Sequence, residues 1–459
     1  MLKEMIEKQK QDLLLRQKML PLPSFLPLLQ PSTRDFIGAL KIHQPALIFE
    51  CKYRSPSLGK LRSEYPITEM AKQYAKFADA ISVLTNTPFF GGSFSHLRRV
   101  SQAIDKPILA KDIIIDPYQV AVARLYGADA VLLMLSVLDD REYLACREQA
   151  EKLNMSVLTE VHTRQELLRA KQLNANLIGI NHRNLNTLEL DMGLINKLLT
   201  DLPKDTLIIA ESGIHSAEDM QKLSGMVDGF LIGTTLSRAT NIDHKMRELA
   251  FGNVKICGLT REEDVKNAFL AGATFGGLNF IPESLRKITV EQAIKLQLAA
   301  PMKYVGIFAK QAINTIVETA KQLNLHAVQM HGQEDNQTMM QLRQALPPSC
   351  QIWLAVPGNT KMTELPPGVD KLVFDTQSDR QFGGTGQTFD WAPLTHSPLL
   401  KDIVLAGGLA SHNIAAASKI KAWALDISSS VECKPGVKDP IKLKALFQNL
   451  RGACYDTTS

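Results

Sequence analysis

Short apolar runs in this chain repeatedly end on residues that can hold or move a proton. The stretch 46–59 reads A-L-I-F-E-C-K-Y-R-S-P-S-L-G, so an apolar run meets Glu50 and Lys52 before Pro56 fixes a turn. An acid and a base two residues apart at a strand end share one face, because strand side chains alternate. Alone, such a pair reads as a solvated ion pair. The pattern recurs, however: Lys111 ends L-A-K-D, Glu160 stands in L-T-E-V, Asn181 and Arg183 in I-N-H-R-N-L, and Glu211 in A-E-S-G-I. Three carboxylates and two lysines placed this way exceed what solvation of strand ends explains. Gathered at one mouth, they suit acid–base chemistry.

Small residues mark a different task. Ser212-Gly213 and Gly233-Thr234 follow apolar runs, and backbone amides exposed by such residues bind an oxyanion. Ser55 adds a hydroxyl donor, so a phosphorylated substrate is expected. The second half of the chain opens on K-I-C-G-L-T and later runs K-L-V-F-D-T, offering Cys257 and Asp375. A strand cysteine usually only packs. Cys257 precedes Gly258 and a helix expected to be capped by Thr260 and Glu263, a setting that lowers a thiol pKa and makes it a base. The remaining cysteines read as inert, with Cys51 turned away from the side that Glu50 and Lys52 share. Glycine- and serine-rich turns at Gly384, Gly408, Ser429 and Ser430 suggest a second phosphate site.

These residues require elements to position them. Eight apolar runs, at 46–50, 80–84, 107–111, 128–135, 156–161, 177–181, 207–211 and 229–233, alternate with segments of helical spacing. Thr163 with Glu166, and Ser216 with Asp219, mark helix starts between them. A second set follows at 254–257, 275–280, 304–308, 327–330, 351–356, 371–375, 403–406 and 424–427. Continuous apolar strands alternating with helices imply parallel sheets covered on both faces, and eight repeats imply a barrel. The expected fold is α/β, two tandem (β/α)8 TIM barrels over 1–252 and 253–459, the first carrying a helical, then proline-rich extension over about 1–45. In such barrels the strand C-termini carry the chemistry. A doubly wound sheet is disfavoured, since neither half has a G-x-G-x-x-G turn after its first strand.

Composition narrows the class. A formal charge of +5 and 22% charged residues give no basic footprint, so nucleic acid is not an expected partner. Apolar runs such as 130–138 are too short for a membrane span, and the charged N-terminus lacks a secretory core, so no membrane association is expected. Six cysteines without a C-x-x-C pair argue against a metal site and for a reducing, cytoplasmic setting.

Taken together, E-C-K-x-x-S-P-S-x-G, L-x-K-D-x-I-I-D-P-Y-Q, L-T-E-V, I-N-x-R-x-L, E-S-G-I and L-I-G-T resemble indole-3-glycerol-phosphate synthase over residues 1 to about 250. The resemblance implies decarboxylating ring closure of 1-(2-carboxyphenylamino)-1-deoxyribulose 5-phosphate. It implies Lys111 as general acid on the ketone oxygen, Glu160 as partner in the dehydration, and Glu50, Lys52 and Glu211 around them. Asn181 and Arg183 then contact substrate, and Ser55, Ser212, Gly213, Gly233 and Thr234 its phosphate. K-I-C-G-L-T, Q-M-H-G, F-D-T, G-G-T-G, A-G-G-L and D-I-S-S-S-V-E-x-x-P-G-V-K-D resemble phosphoribosylanthranilate isomerase over about 253–451. That implies an Amadori rearrangement with Cys257 as base and Asp375 as acid. Arg286 binds the anthranilate carboxylate, His331 contacts substrate or supports the core, and Gly384, Gly408, Ser429 and Ser430 hold phosphate, with Asp426 as nearby support. The halves then supply consecutive steps of tryptophan biosynthesis in a monomer, with small phosphorylated substrates and no cofactor. Two departures, Leu285 where relatives carry Pro and Leu354 where they often carry Lys, leave open a weakened or decayed, isomerase-like phosphate-binding barrel. Fused sugar-isomerase barrels of the histidine-pathway kind are a further rival, disfavoured because an aspartate would stand at Cys257.

Overall fold

The computed structural model of the chain describes all residues except 203–204, 332–334, 377–387 and 454–459. Compact units divide within the helix Ile242–Phe251, one running Met1–Met246 and the other beginning at Arg247. That helix stops at Gly252, whose φ of +73° is the left-handed turn that glycine adopts without strain. No helix among the described residues is long and apolar enough to cross a membrane.

The first unit holds a closed barrel of parallel strands: β1 Ala46–Cys51, β2 Ala80–Leu84, β3 Ile108–Lys111, β4 Ala130–Met134, β5 Ser156–Val161, β6 Leu177–Asn181, β7 Leu207–Glu211 and β8 Gly229–Ile232. β1 pairs with both β8 and β2, which closes the ring. Ile48, Leu109, Leu132, Leu158 and Leu231 belong to its interior cluster. The second unit closes in the same way through β9 Asn253–Ile256, β10 Phe275–Asn279, β11 Lys303–Phe308, β12 Ala327–Met330, β13 Gln351–Pro357, β14 Lys371–Asp375, β15 Ile403–Leu405 and β16 Ala424–Ile427. Phe275, Val305, Trp353 and Val373 are in its core. Expected and observed strands agree to within a few residues. Thr163 and Ser216 cap their helices as read, each accepting the amide three residues on. Thr260 does not. The helix Glu262–Ala271 has Arg261 at its N-cap with no side-chain cap, because the Thr260 hydroxyl donates instead to the Gly436 carbonyl.

One device recurs at the lower ends of both barrels. The residue just before a strand turns its side chain back to accept the amide at the start of the preceding strand. Asp79 accepts from Leu47 at 2.8 Å, Asp129 from Ile108 at 2.9 Å and Asp228 from Ile208 at 2.7 Å. In the second barrel Thr274 serves Val254 at 2.8 Å and Asp370 serves Ile352 at 2.7 Å. Each bond satisfies a strand amide that the slanted parallel ladder leaves over.

Asp129 does more. Its carboxylate also accepts from the Ser32 hydroxyl at 2.7 Å and pairs with Arg34 Nε at 2.8 Å and Arg124 Nη1 at 3.1 Å. The proline-rich extension is thereby pinned to the barrel. Breaking a buried pair from one side leaves the partner charge stranded, so Asp129→Ala is expected to cost about 3–5 kcal/mol. Urea unfolding followed by circular dichroism should show that loss, with a smaller one for Asp129→Asn.

Candidate active sites

The upper mouth of the first barrel opens on a cavity of about 550 Å³. Glu50 and Lys52 from the end of β1, Lys111 from β3, Glu160 from β5, Asn181 from β6 and Arg183 just beyond it all line this cavity. Lys111 Nζ lies 2.7 Å from Glu211 Oε2 and 3.2 Å from Glu50 Oε2, while Lys52 Nζ lies 2.5 Å from Glu50 Oε1. Burial alone would raise the Glu50 carboxyl, but the Lys111 and Lys52 ammonium groups outweigh it and hold Glu50 at about 2. Burial likewise disfavours a charged Lys111, yet Glu211, Glu50 and Glu160 together push its pKa above the usual lysine value. Glu160 goes the other way. Burial, and then the nearby Glu211 charge, push it up to about 8 against the pull of Lys111 and the Asn181 side chain.

One cavity therefore holds a lysine fixed in its charged form and a carboxyl that keeps its proton at neutral pH. Glu211 does not line it. This side chain is fully buried and meets Lys111 from behind, which makes it a positioning group in this geometry. Cys51, as alternation requires, is buried away from the mouth.

Two glycines make the cluster possible. A Cβ on Gly179, in the middle of β6, would stand 2.1 Å from Glu211 Oε1, and one on Gly233 would stand 2.2 Å from Glu50 Oε1. Gly233 thus makes room for a carboxylate besides its expected place at a phosphate site. Gly179 was not singled out from sequence, although a glycine inside the strand L-I-G-I-N marks a close approach. Also missed were the apolar lining residues Leu84, Leu132, Met134 and Leu231, which suit an aromatic ring but look like ordinary core in sequence.

Ser55, Ser212, Gly213, Gly233 and Thr234 also line the cavity, together with Arg238 and Lys245. Ser212 and Gly213 both turn left-handed, at φ +67° and +77°, a conformation glycine adopts without strain. Asn184 accepts the Asn186 amide at 2.8 Å, a bond an aspartate would also make. The N-terminal helix Leu2–Met19 reaches the same rim: Met5 lines the cavity and Gln9 bonds Asp112 at 3.2 Å and Asn86 at 2.9 Å.

The second mouth is tighter, about 60 Å³, and brings Cys257, Arg286, His331, Asp375, Gly408, Asp426 and Ser429 together. His331 Nε2 lies 3.8 Å from Asp375 Oδ2. Arg286 is oriented by Glu432, which accepts from Nε at 2.9 Å and from Nη2 at 2.7 Å. Ser430 does not line the cavity; its hydroxyl donates to the Leu409 carbonyl. Gly384 lies outside the described residues. Gly407 and Gly408 repeat the left-handed pair of the first barrel, at φ +80° and +64°.

The Cys257 thiol departs from expectation. Burial pushes its pKa up rather than down, with Lys255 and Lys438 opposing; the helix that follows lacks the expected cap. Leu285 is 78% exposed. Leu354 neither lines the cavity nor joins the interior cluster that takes its neighbours Trp353 and Ala355, so the missing lysine lies off the site.

Comparison with known proteins agrees with this division. The family model for indole-3-glycerol phosphate synthase matches residues 2–249, and that for N-(5'phosphoribosyl)anthranilate (PRA) isomerase matches residues 254–449. A Buchnera aphidicola protein from Acyrthosiphon pisum, named "Tryptophan biosynthesis protein TrpCF", is 42% identical over 454 residues and covers 98% of each chain. Proteins of the same name from Vibrio cholerae and Yersinia pestis are 43% and 44% identical, each covering 94% of this chain and 92% and 90% of their own length.

The glycine gap makes a separable prediction. Gly179→Ala should displace Glu211, and with it Lys111, lowering the turnover of the first site at least about tenfold, the loss expected when catalytic geometry shifts by an ångström. Chemistry at the second site should be unchanged in the same preparation.

Proposed function

The chain belongs to the TrpCF family of tryptophan-biosynthesis proteins, a synthase barrel followed by an isomerase barrel, and from that premise we propose how its own residues divide the two reactions. The enzyme isomerises N-(5-phosphoribosyl)anthranilate to the aminoketose and then closes that product to indole-3-glycerol phosphate. The rival of a decayed second barrel is not favoured, since relatives of the same name align over the whole chain.

In the isomerase barrel, Asp375 gives a proton to the ring oxygen as the C1′–O bond breaks. Cys257 then removes the C2′ proton, and the resulting enolamine becomes the ketose. Arg286, steadied by Glu432, meets the anthranilate carboxylate. Gly408 and Ser429 take the phosphate, and His331 stands beside Asp375.

In the synthase barrel, the aromatic carbon that bears the carboxylate attacks the ketone, and Lys111 protonates the oxygen. Carbon dioxide leaves, Glu160 gives its proton to the hydroxyl that departs as water, and the resulting Glu160 carboxylate takes the C1′ proton as the indole ring becomes aromatic. Lys52 and Arg183 meet the substrate's negative groups, Asn181 orients Glu160, and Ser212, Gly213, Gly233 and Thr234 surround the phosphate. The observation that carries this reading is the ammonium of Lys111 fixed between Glu50 and Glu211 in one cavity with Glu160, whose carboxyl burial and Glu211 push up to about 8.

Removing a positioned acid or base costs about 10²–10⁴-fold. Lys111→Ala should therefore lose that much of the synthase rate with the isomerase intact, and Cys257→Ala the reverse, each followed by assay of the separate steps. Loss of both activities in a folded single variant would overturn the division. A second test uses pH. Glu160 holds its proton below about 8 and loses it above, so synthase kcat should fall on the alkaline side through that value. In Glu160→Gln, which cannot ionise, the residual rate should lack that limb; an unchanged limb assigns it to another group.

A further inference from the structure

Beneath the isomerase mouth lies a charged residue that the reaction scheme above leaves unused. Lys255, on β9, is fully buried. Its ammonium lies 2.6 Å from Asp426 Oδ2 and 2.9 Å from Gln329 Oε1. Lys255 and Asp426 stand opposite each other in the β9–β16 register, so the pair is built into the barrel wall. Two residues along the chain, Cys257 returns to the same face. The two side chains are neighbours across Gly277: a Cβ there would stand 2.9 Å from Cys257 Sγ and 3.1 Å from Lys255 Cε.

We propose that Lys255, held by Asp426 and Gln329, is the positioning residue that makes Cys257 available as a base, by facing its sulfur with a fixed positive charge from inside the barrel. The proposal rests on the assignment of Cys257 as the base. A half-buried thiol at the mouth of a barrel has little water to stabilise its anion, so a neighbouring ammonium is the alternative. Other groups facing the sulfur do not replace it. Lys438 is committed to Glu432 at 2.8 Å, to the Ser428 carbonyl at 3.0 Å and to the backbone carbonyl of Cys257 at 2.5 Å, and Arg286 also pairs with Glu432. Asp375 and His331 share the cavity from the ends of β14 and β12, and Asp426 is the only carboxylate among these bonded to Lys255. Burial would discharge Lys255, but Asp426 and then the sulfur favour its charged form. Gly277 supplies the space, which explains a glycine at a strand position with no turn to make.

The test reads the thiol directly. In the full-length enzyme, iodoacetamide alkylation of Cys257 is followed against pH by peptide mass spectrometry, alongside isomerase kcat/KM. In Lys255→Met the alkylation midpoint should rise by at least about one unit, and isomerase kcat/KM at neutral pH should fall about tenfold per unit. Because a lone Asp426 can unfold the barrel, the double variant Lys255→Met/Asp426→Asn is measured too, with circular dichroism as the folding control; its midpoint should shift the same way by less. A midpoint equal to wild type in a folded variant overturns the proposal, whatever the activity. An unaltered isomerase in Cys257→Ala would instead overturn the base assignment beneath it.

Discussion

A buried ammonium held between carboxylates is the constraint that shapes this molecule. Lys111, mostly withdrawn from water at the cavity wall, is held between Glu50 and Glu211, so each partner must be fixed in place. Nothing in the core would tolerate those charges singly. The barrel supplies the solution: adjacent parallel strands deliver side chains to one point from several directions, and the backbone holds them there without relying on loops. Gly179 and Gly233 follow from the same demand, since a methyl group at either would occupy the space of a carboxylate oxygen.

Rigidity at the upper rim depends on bonds made at the lower one. Asp79, Asp129 and Asp228 tie strand starts together in the first barrel, as Thr274 and Asp370 do in the second. The acids that precede strands share one task, accepting a strand amide, although Asp129 also pairs with Arg34 and Arg124. Glu50 and Glu211, at strand ends, instead meet the ammonium of Lys111.

That distinction also explains what sequence disclosed. The strands were legible because buried parallel strands are continuous apolar runs, and residues such as Lys111 and Asp375 were legible because they end those runs. Gly179 was hidden because its role is an absence of atoms, visible only once Glu211 arrives from the next strand. The retreat of Glu211 behind Lys111 depends on depth in the barrel, which linear spacing does not encode. Thr260 misled for a related reason: a local capping pattern lost to a distant acceptor, the Gly436 carbonyl. The expected lowering of the Cys257 pKa failed because burial, a property of the closed barrel, outweighed a helix start that turned out to be uncapped.

The two mouths can be understood as one electrostatic motif set to opposite ends. Both hold a lysine from a barrel strand with buried carboxylate, one at the mouth and one beneath it. In the first barrel the lysine lines a wide cavity and two carboxylates keep it charged, so the cation itself is suited to give a proton. Burial, and after it the charge of Glu211, pushes the Glu160 carboxyl up to about 8, which gives the site a second donor. In the second barrel the lysine lies below the cavity with a single carboxylate partner, and its charge faces a thiol. Asp426 favours the charged form of Lys255, and at the sulfur Lys255 opposes the upward push that burial and Asp426 exert on the thiol. The two barrels thus turn a strand lysine to different ends, one facing a substrate cavity and one facing a thiol.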